Sequence, residues 1–85
     1  MVIGISMKNI IYYKESKSGK VGFVGVHSDT PDKESLSDYI AIELIRKNLC
    51  LPDKAEHVAA EIVTKGHAEH NGREYLSDKI DEIVV

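Results

Sequence analysis

Three of the four histidines, His57, His67 and His70, fall within fourteen residues of one another. Imidazole is a common zinc ligand, and a catalytic zinc takes about three protein ligands. The His67-x-x-His70 spacing would chelate a metal if that segment made a helical turn. His57 stands apart. On a helical wheel it lies opposite the stripe of Val58, Ala59 and Ile62, on the solvent side near Lys54 and Glu61. His67 and His70 flank a glycine stop and an Asn-Gly turn, where polar residues are expected without a metal.

A second arrangement involves His27 and Asp29. Gly25-Val26-His27-Ser28-Asp29-Thr30-Pro31 resembles the strand-end metal-ligand segment of zinc-dependent aminopeptidases and related exopeptidases. In that family a histidine and an aspartate two apart project from a strand end toward one metal. The resemblance covers seven residues. The family's acidic general base and further ligands have no counterpart later in the chain, and such enzymes are far longer, so it is read as coincidence. A metal site, if one formed, would draw on His27 and Asp29 with His67 or His70.

The third arrangement is basic. Lys14, Lys17 and Lys20 cluster where a hairpin tip is expected, after Tyr12 and Tyr13. Lysines can contact phosphates and an exposed tyrosine can stack a base. Strand side chains alternate, so one of the two tyrosines must turn away. The chain is acidic overall, at −3, and has no arginine in this hairpin. Lysines at a hairpin tip also keep an edge soluble.

Other chemistries have no support. No serine or cysteine stands in a strained elbow beside a base. Gly19-Lys20 lacks the glycine spacing and following hydroxyl of a phosphate loop. Glu69, Glu74, Asp78, Asp81 and Glu82 lack calcium-loop spacing and read as a solvated acidic face. Cys50 is the single cysteine, so an intramolecular disulfide and a cysteine-built zinc site are excluded; between Leu49 and Leu51 it reads as a buried, inert thiol. No cofactor is implied. Binding rather than catalysis is the expectation.

Elements must position these residues, and 85 residues suggest one domain with a small core. Aromatics are few, so isoleucine, valine and leucine must fill that core, and self-association would add buried area. Charge divides along the chain: residues 1–28 sum to +3 and residues 29–85 to −6. The longest apolar runs fall far short of the ~20 residues that cross a bilayer. Met1 to Met7 reads as a strand start, not a signal peptide. The absence of a disulfide framework points to the cytoplasm.

Val2 to Ile5 and Asn9 to Lys14 carry the β-branched and aromatic residues of strands, and Val21 to His27 reads as the return strand of a hairpin. Gly22 and Gly25 within it suggest a bulge, a close approach by another element, or packing against a helix. A helix is expected over 36–49, started near Thr30-Pro31 or Ser35. Leu36, Ile40 and Leu44 share one side, while Ile42, Ile45 and Leu49 point away. Pro52 ends that helix region and Asp53 with Glu56 starts a second helix in a capping pattern, with Ala55, Val58, Ala59, Ile62 and Val63 as its stripe and Gly66 as its stop. After Asn71-Gly72, the spacing of Leu76, Ile80, Ile83 and Val84 favours a third helix, with Ile83-Val84-Val85 alternatively closing the sheet as a strand.

The expected architecture is α+β: an N-terminal antiparallel β-hairpin or three-stranded sheet packed against two or three α-helices. The expected function is a small non-enzymatic interaction or regulatory module. It would self-associate, or dock a protein partner, through the second apolar side of helix 36–49: Tyr39, Ile42, Ile45 and Leu49. The alternative is nucleic-acid binding through Tyr12, Tyr13, Lys14, Lys17 and Lys20, and a metal-binding protein or metalloenzyme stands third.

Overall fold

The structure is a computed structural model that describes residues 4–28 and 32–84, with side chains described for 8–28 and 32–80. The chain forms β1 (Gly4–Glu15), β2 (Val21–Ser28), α1 (Lys33–Arg46), α2 (Pro52–Lys65), β3 (His67–His70) and β4 (Arg73–Val84). The strands make one antiparallel sheet in the order β2-β1-β4-β3, and both helices pack on it, an α+β fold. Two hairpins therefore lie side by side, joined by β1 against β4.

Each hairpin follows from its turn. Gly19, at φ +72°, lets its N–H reach the Glu15 carbonyl at 2.8 Å while Glu15 N–H donates to the Lys20 carbonyl. Asn71 and Gly72 both have positive φ, as a two-residue hairpin loop with the twist of the strands requires.

The segment after that turn is a strand, where the sequence favoured a helix. Leu76 and Ile80 are four apart, a spacing that suits one helix face and equally one strand face. Pairing decides it. β4 registers with β1 along twelve residues, from Glu15↔Arg73 to Gly4↔Val84, so the sheet has four strands, not two or three.

Both helices begin and end near their expected positions, with different caps. Asp32 caps α1, its carboxylate accepting the Ser35 N–H at 3.1 Å; Thr30 and Pro31 lie outside the described residues. α1 stops at Arg46, three residues before Leu49, and Asn48 turns back with φ +57°. Leu51, not Asp53, is the N-cap of α2, followed by Pro52, whose missing N–H costs nothing in the first turn. Gly66 ends α2 in the left-handed conformation, φ +84°, its N–H on the Ile62 carbonyl.

The core lies between the helices and one sheet face. Ile11, Val24 and Tyr75 from the strands meet Leu36, Ile40 and Leu44 of α1 and Ala55, Val58, Ala59 and Ile62 of α2. Burying an isoleucine or leucine of this kind contributes about 1.5–3 kcal/mol relative to leaving it exposed. The helices cover this face alone.

Candidate functional site

Strand alternation assigns each side chain to a face. Ile11, Tyr13, Tyr75 and Ala68 point to the helices, so Ile10, Tyr12, Lys14, Glu74, Leu76, Asp78, Glu69 and His67 point the other way. The register arranges this outer face in rows across the strands. One row reads Val21, Lys14, Glu74, Glu69; the next reads Phe23, Tyr12, Leu76, His67; the third reads Val26, Ile10, Asp78.

Its apolar members are open to solvent: Val21 is 60% exposed, Phe23 55%, Ile80 40% and Val26 37%. Tyr12 is tied to it through its hydroxyl. Its hydroxyl donates to Asp78 Oδ2 at 2.6 Å, a diagonal cross-strand bond. That bond raises the tyrosine pKa, helped by lesser contributions from burial and the Asp78 and Glu74 charges.

A bulge in β2 gives this face its composition. The β1–β2 register shifts between Ile11 and Tyr12, so Val24 is the extra residue. Val24 goes into the core, which leaves Phe23 and Val26 both on the outer face. Gly22 leaves room for the Tyr13 ring and Gly25 for Tyr39 of α1. The Tyr39 hydroxyl accepts the Val26 N–H at 3.2 Å, and its ring packs against His27 with centroids 4.9 Å apart. The edge of β2 is thereby capped at Val26 by a side chain of its own chain.

The residues singled out from sequence are scattered across this frame. Ile42 (55% exposed) and Ile45 (38%) do face solvent, beside Asp38, Pro52 and Glu56 in a shallow groove between α1 and α2. Tyr39 instead faces β2, and Leu49 is buried, so the four do not share one surface. Tyr12 and Lys14 lie on the outer face, with Lys17 and Lys20 in the turn beyond. Tyr13 is turned inward, its ring 5.7 Å from that of Tyr75 and beneath the Arg73 guanidinium at 5.3 Å.

His27 lies on β2, and His67 and His70 on β3, at opposite edges of the sheet. Three strand spacings, about 14 Å, separate them. His67 and His70 point to opposite faces of β3, and Asp29 lies outside the described residues. Among the described residues no three His, Cys, Asp or Glu side chains gather to hold a metal. His57 faces solvent, with Nε2 2.8 Å from Glu61 Oε1.

A second concavity of about 500 Å³ opens between the α1–α2 loop and the β3–β4 turn, lined by Asn48, Cys50, Leu51, Lys54, His70 and Asn71. The fully buried Tyr75 lies near Cys50, its hydroxyl without a hydrogen-bond partner. Burial, then the Cys50 thiol, pushes the Tyr75 pKa up to about 12. Burial also raises the Cys50 thiol, against smaller opposing effects of Tyr75 and Arg73. Both groups are therefore protonated at neutral pH.

The outer-face residues Phe23, Val26, Leu76 and Ile80 were missed as a group. Alternation in Val21-Gly22-Phe23 marks one strand, but the bulge and the helix-compatible spacing of Leu76 and Ile80 hid the shared face. Among the described residues no helix is long and apolar enough to cross a membrane. Comparison with protein-family models, curated proteins and solved structures finds no match for this chain.

Proposed function

We propose that this protein is a small non-enzymatic interaction module of the cytoplasm that self-associates through the open face of its sheet. The observation that carries the reading is the group Val21, Phe23, Val26 and Ile80, each more than a third exposed on the face opposite the helices. An apolar sheet face is normally covered by a second layer. This one has none among the described residues, and covering it would remove aromatic and aliphatic surface from water at about 25 cal/mol per Å². The uncovered sheet face is broader than the pair Ile42 and Ile45 on α1, so it replaces that helix as the proposed interface.

Dilution followed by amide NMR tests this. Shifts concentrated at Phe23, Val26, Leu76 and Ile80 support it; shifts confined to Ile42 and Ile45 return the interface to the helix, and none at all ends the reading.

A second reading is single-stranded nucleic acid on the same face. It is favoured by Tyr12 lying directly beside Phe23 in the register, with Lys14 on the same strand and Lys17 and Lys20 just beyond. It stands second because Glu69, Glu74 and Asp78 occupy the other half of the face and repel phosphate. Its mark would be binding that weakens with salt, and weakens again when Lys14, Lys17 and Lys20 become alanine. A protein that ignores single strands at low salt disposes of it.

A further inference from the structure

We infer that the concavity between the α1–α2 loop and the β3–β4 turn binds a small carboxylate with an apolar body, its charged head held at the N-terminus of α2. The site lies on the helix side of the sheet, so the inference goes beyond the self-association reading and does not depend on it.

The lining combines apolar surface with hydrogen-bond donors. Leu49, Cys50 and Leu51 supply the apolar part, and Leu51 is 69% exposed. Asn48, Lys54, His70 and Asn71 supply the polar part. Among the described residues no carboxylate lines it, although the chain carries a net charge of −3. A volume of about 500 Å³ falls within the ~300–1,000 Å³ of small-molecule sites.

Helix α2 begins within this lining. Leu51, its N-cap, has no side-chain oxygen to offer the first turn, and leucine is among the residues least suited to that position. Pro52 has no N–H, and the Leu51 carbonyl accepts those of Lys54 and Ala55 at 2.9 and 3.0 Å. The Asp53 N–H has no acceptor among the described residues. A carboxylate placed there takes that N–H and meets the positive end of a helix of 14 residues.

An independent observation comes from behind the wall. Tyr75 is fully buried, and its hydroxyl makes no hydrogen bond of ordinary geometry. Its polar neighbours are the Cys50 thiol, which lines the concavity, and Arg73, whose buried Nε also has no hydrogen-bond partner. The Arg73 charge favours the anionic forms of both Tyr75 and Cys50, so its positive field reaches the wall at Cys50. Orphaned buried donors of this kind mark places where a bound water or ion completes the hydrogen bonding.

Charge selects the ligand. Among the described residues Lys54 is the single permanent cation of the lining, which matches one negative charge and not a dianionic phosphate. Leu49 and Leu51 favour a ligand that also brings apolar surface.

Benzoate is the probe. Benzyl alcohol offers a similar body without the charge, and inorganic phosphate an anion without the body. Amide NMR titration of the full chain should give saturable benzoate shifts at Leu51, Lys54, His70 and Asn71, in the millimolar range expected for so few atoms. Each comparison compound should bind at least about tenfold more weakly, having lost either the charged or the apolar contacts. Benzyl alcohol or phosphate binding as well as benzoate overturns the inference, and so does benzoate without saturable shifts at these amides.

Two variants separate binding from folding. Lys54→Met keeps the apolar stem of an exposed side chain and should weaken benzoate binding about three- to fivefold. Leu51→Asp sets a carboxylate of the chain itself at the N-cap, so it should raise the melting temperature and abolish benzoate binding. Parental affinity in Lys54→Met, or in a Leu51→Asp protein that melts higher, overturns the inference.

Discussion

The Tyr39 hydroxyl sits over Gly25, where an added β-carbon would come within 2.5 Å of it, and accepts the Val26 N–H at 3.2 Å. One contact therefore docks α1 on β2 and closes the middle of an edge strand. Gly25→Ala should displace the ring and destabilise the fold by about 1–3 kcal/mol. Tyr39→Phe should cost about 1 kcal/mol, the net worth of one hydrogen bond. Denaturant midpoints of the two variants check this. Equal stability to the parent in both would mean that the contact holds nothing.

Tyr75→Phe should leave stability unchanged or raise it slightly. The buried hydroxyl makes no hydrogen bond of ordinary geometry and has Arg73 and Cys50 as its polar neighbours, so its removal relieves a desolvation cost and gives up weak contacts alone. The same group makes a prediction in base. Its pKa rises from 10.0 unfolded to about 12 folded. Its contribution is therefore fully present below pH 10.0 and lost as pH climbs through about 12, because the unfolded chain releases its proton first. Thermal melts of the parent should decline across that window more steeply than those of Tyr75→Phe. Parallel declines would contradict the assignment.

Glu43 makes the opposite prediction in acid. It is a buried carboxylate held at 2.6 Å by Lys47 Nζ and at 2.9 Å by Arg46 Nη1. Lys47 first, and Arg46 with it, hold its pKa below the usual 4.5, against a smaller opposing effect of burial. Its stabilisation is thus present above pH 4.5 and lost as pH falls through the folded value. Glu43→Gln should cost about 0.5–1 kcal/mol at neutral pH. The difference from the parent should shrink on acidification, which chemical denaturation at several pH values measures.

Local signals in the sequence were sufficient for much of this fold. A single apolar stripe following Pro52 and closed by Gly66 defined α2 to within a residue or so of its ends, because helix periodicity and termini are properties of neighbouring residues. Gly19 and Asn71-Gly72 marked both turns for the same reason. What was hidden depends on contacts between distant segments. Leu76 and Ile80 belong to a strand because β1 pairs with them, and their spacing of four is even as well as helical. Tyr39 looked like an exposed residue until Gly25 opened a place for it on β2, fourteen residues earlier in the chain. The proposed interface was obscured by both effects, since it needs β4 as a strand and the β2 bulge that keeps Phe23 and Val26 on one side.

Sedimentation equilibrium of the unmodified protein and the Phe23→Ser variant, over tens of micromolar, tests the central claim most directly. Phe23 is 55% exposed and outside the core, so the substitution should leave the fold and its melting intact. The open-face account predicts the mass of two chains for the parent and of one chain for the variant. A parent at the mass of one chain throughout, or a variant that pairs as tightly as the parent, would contradict it.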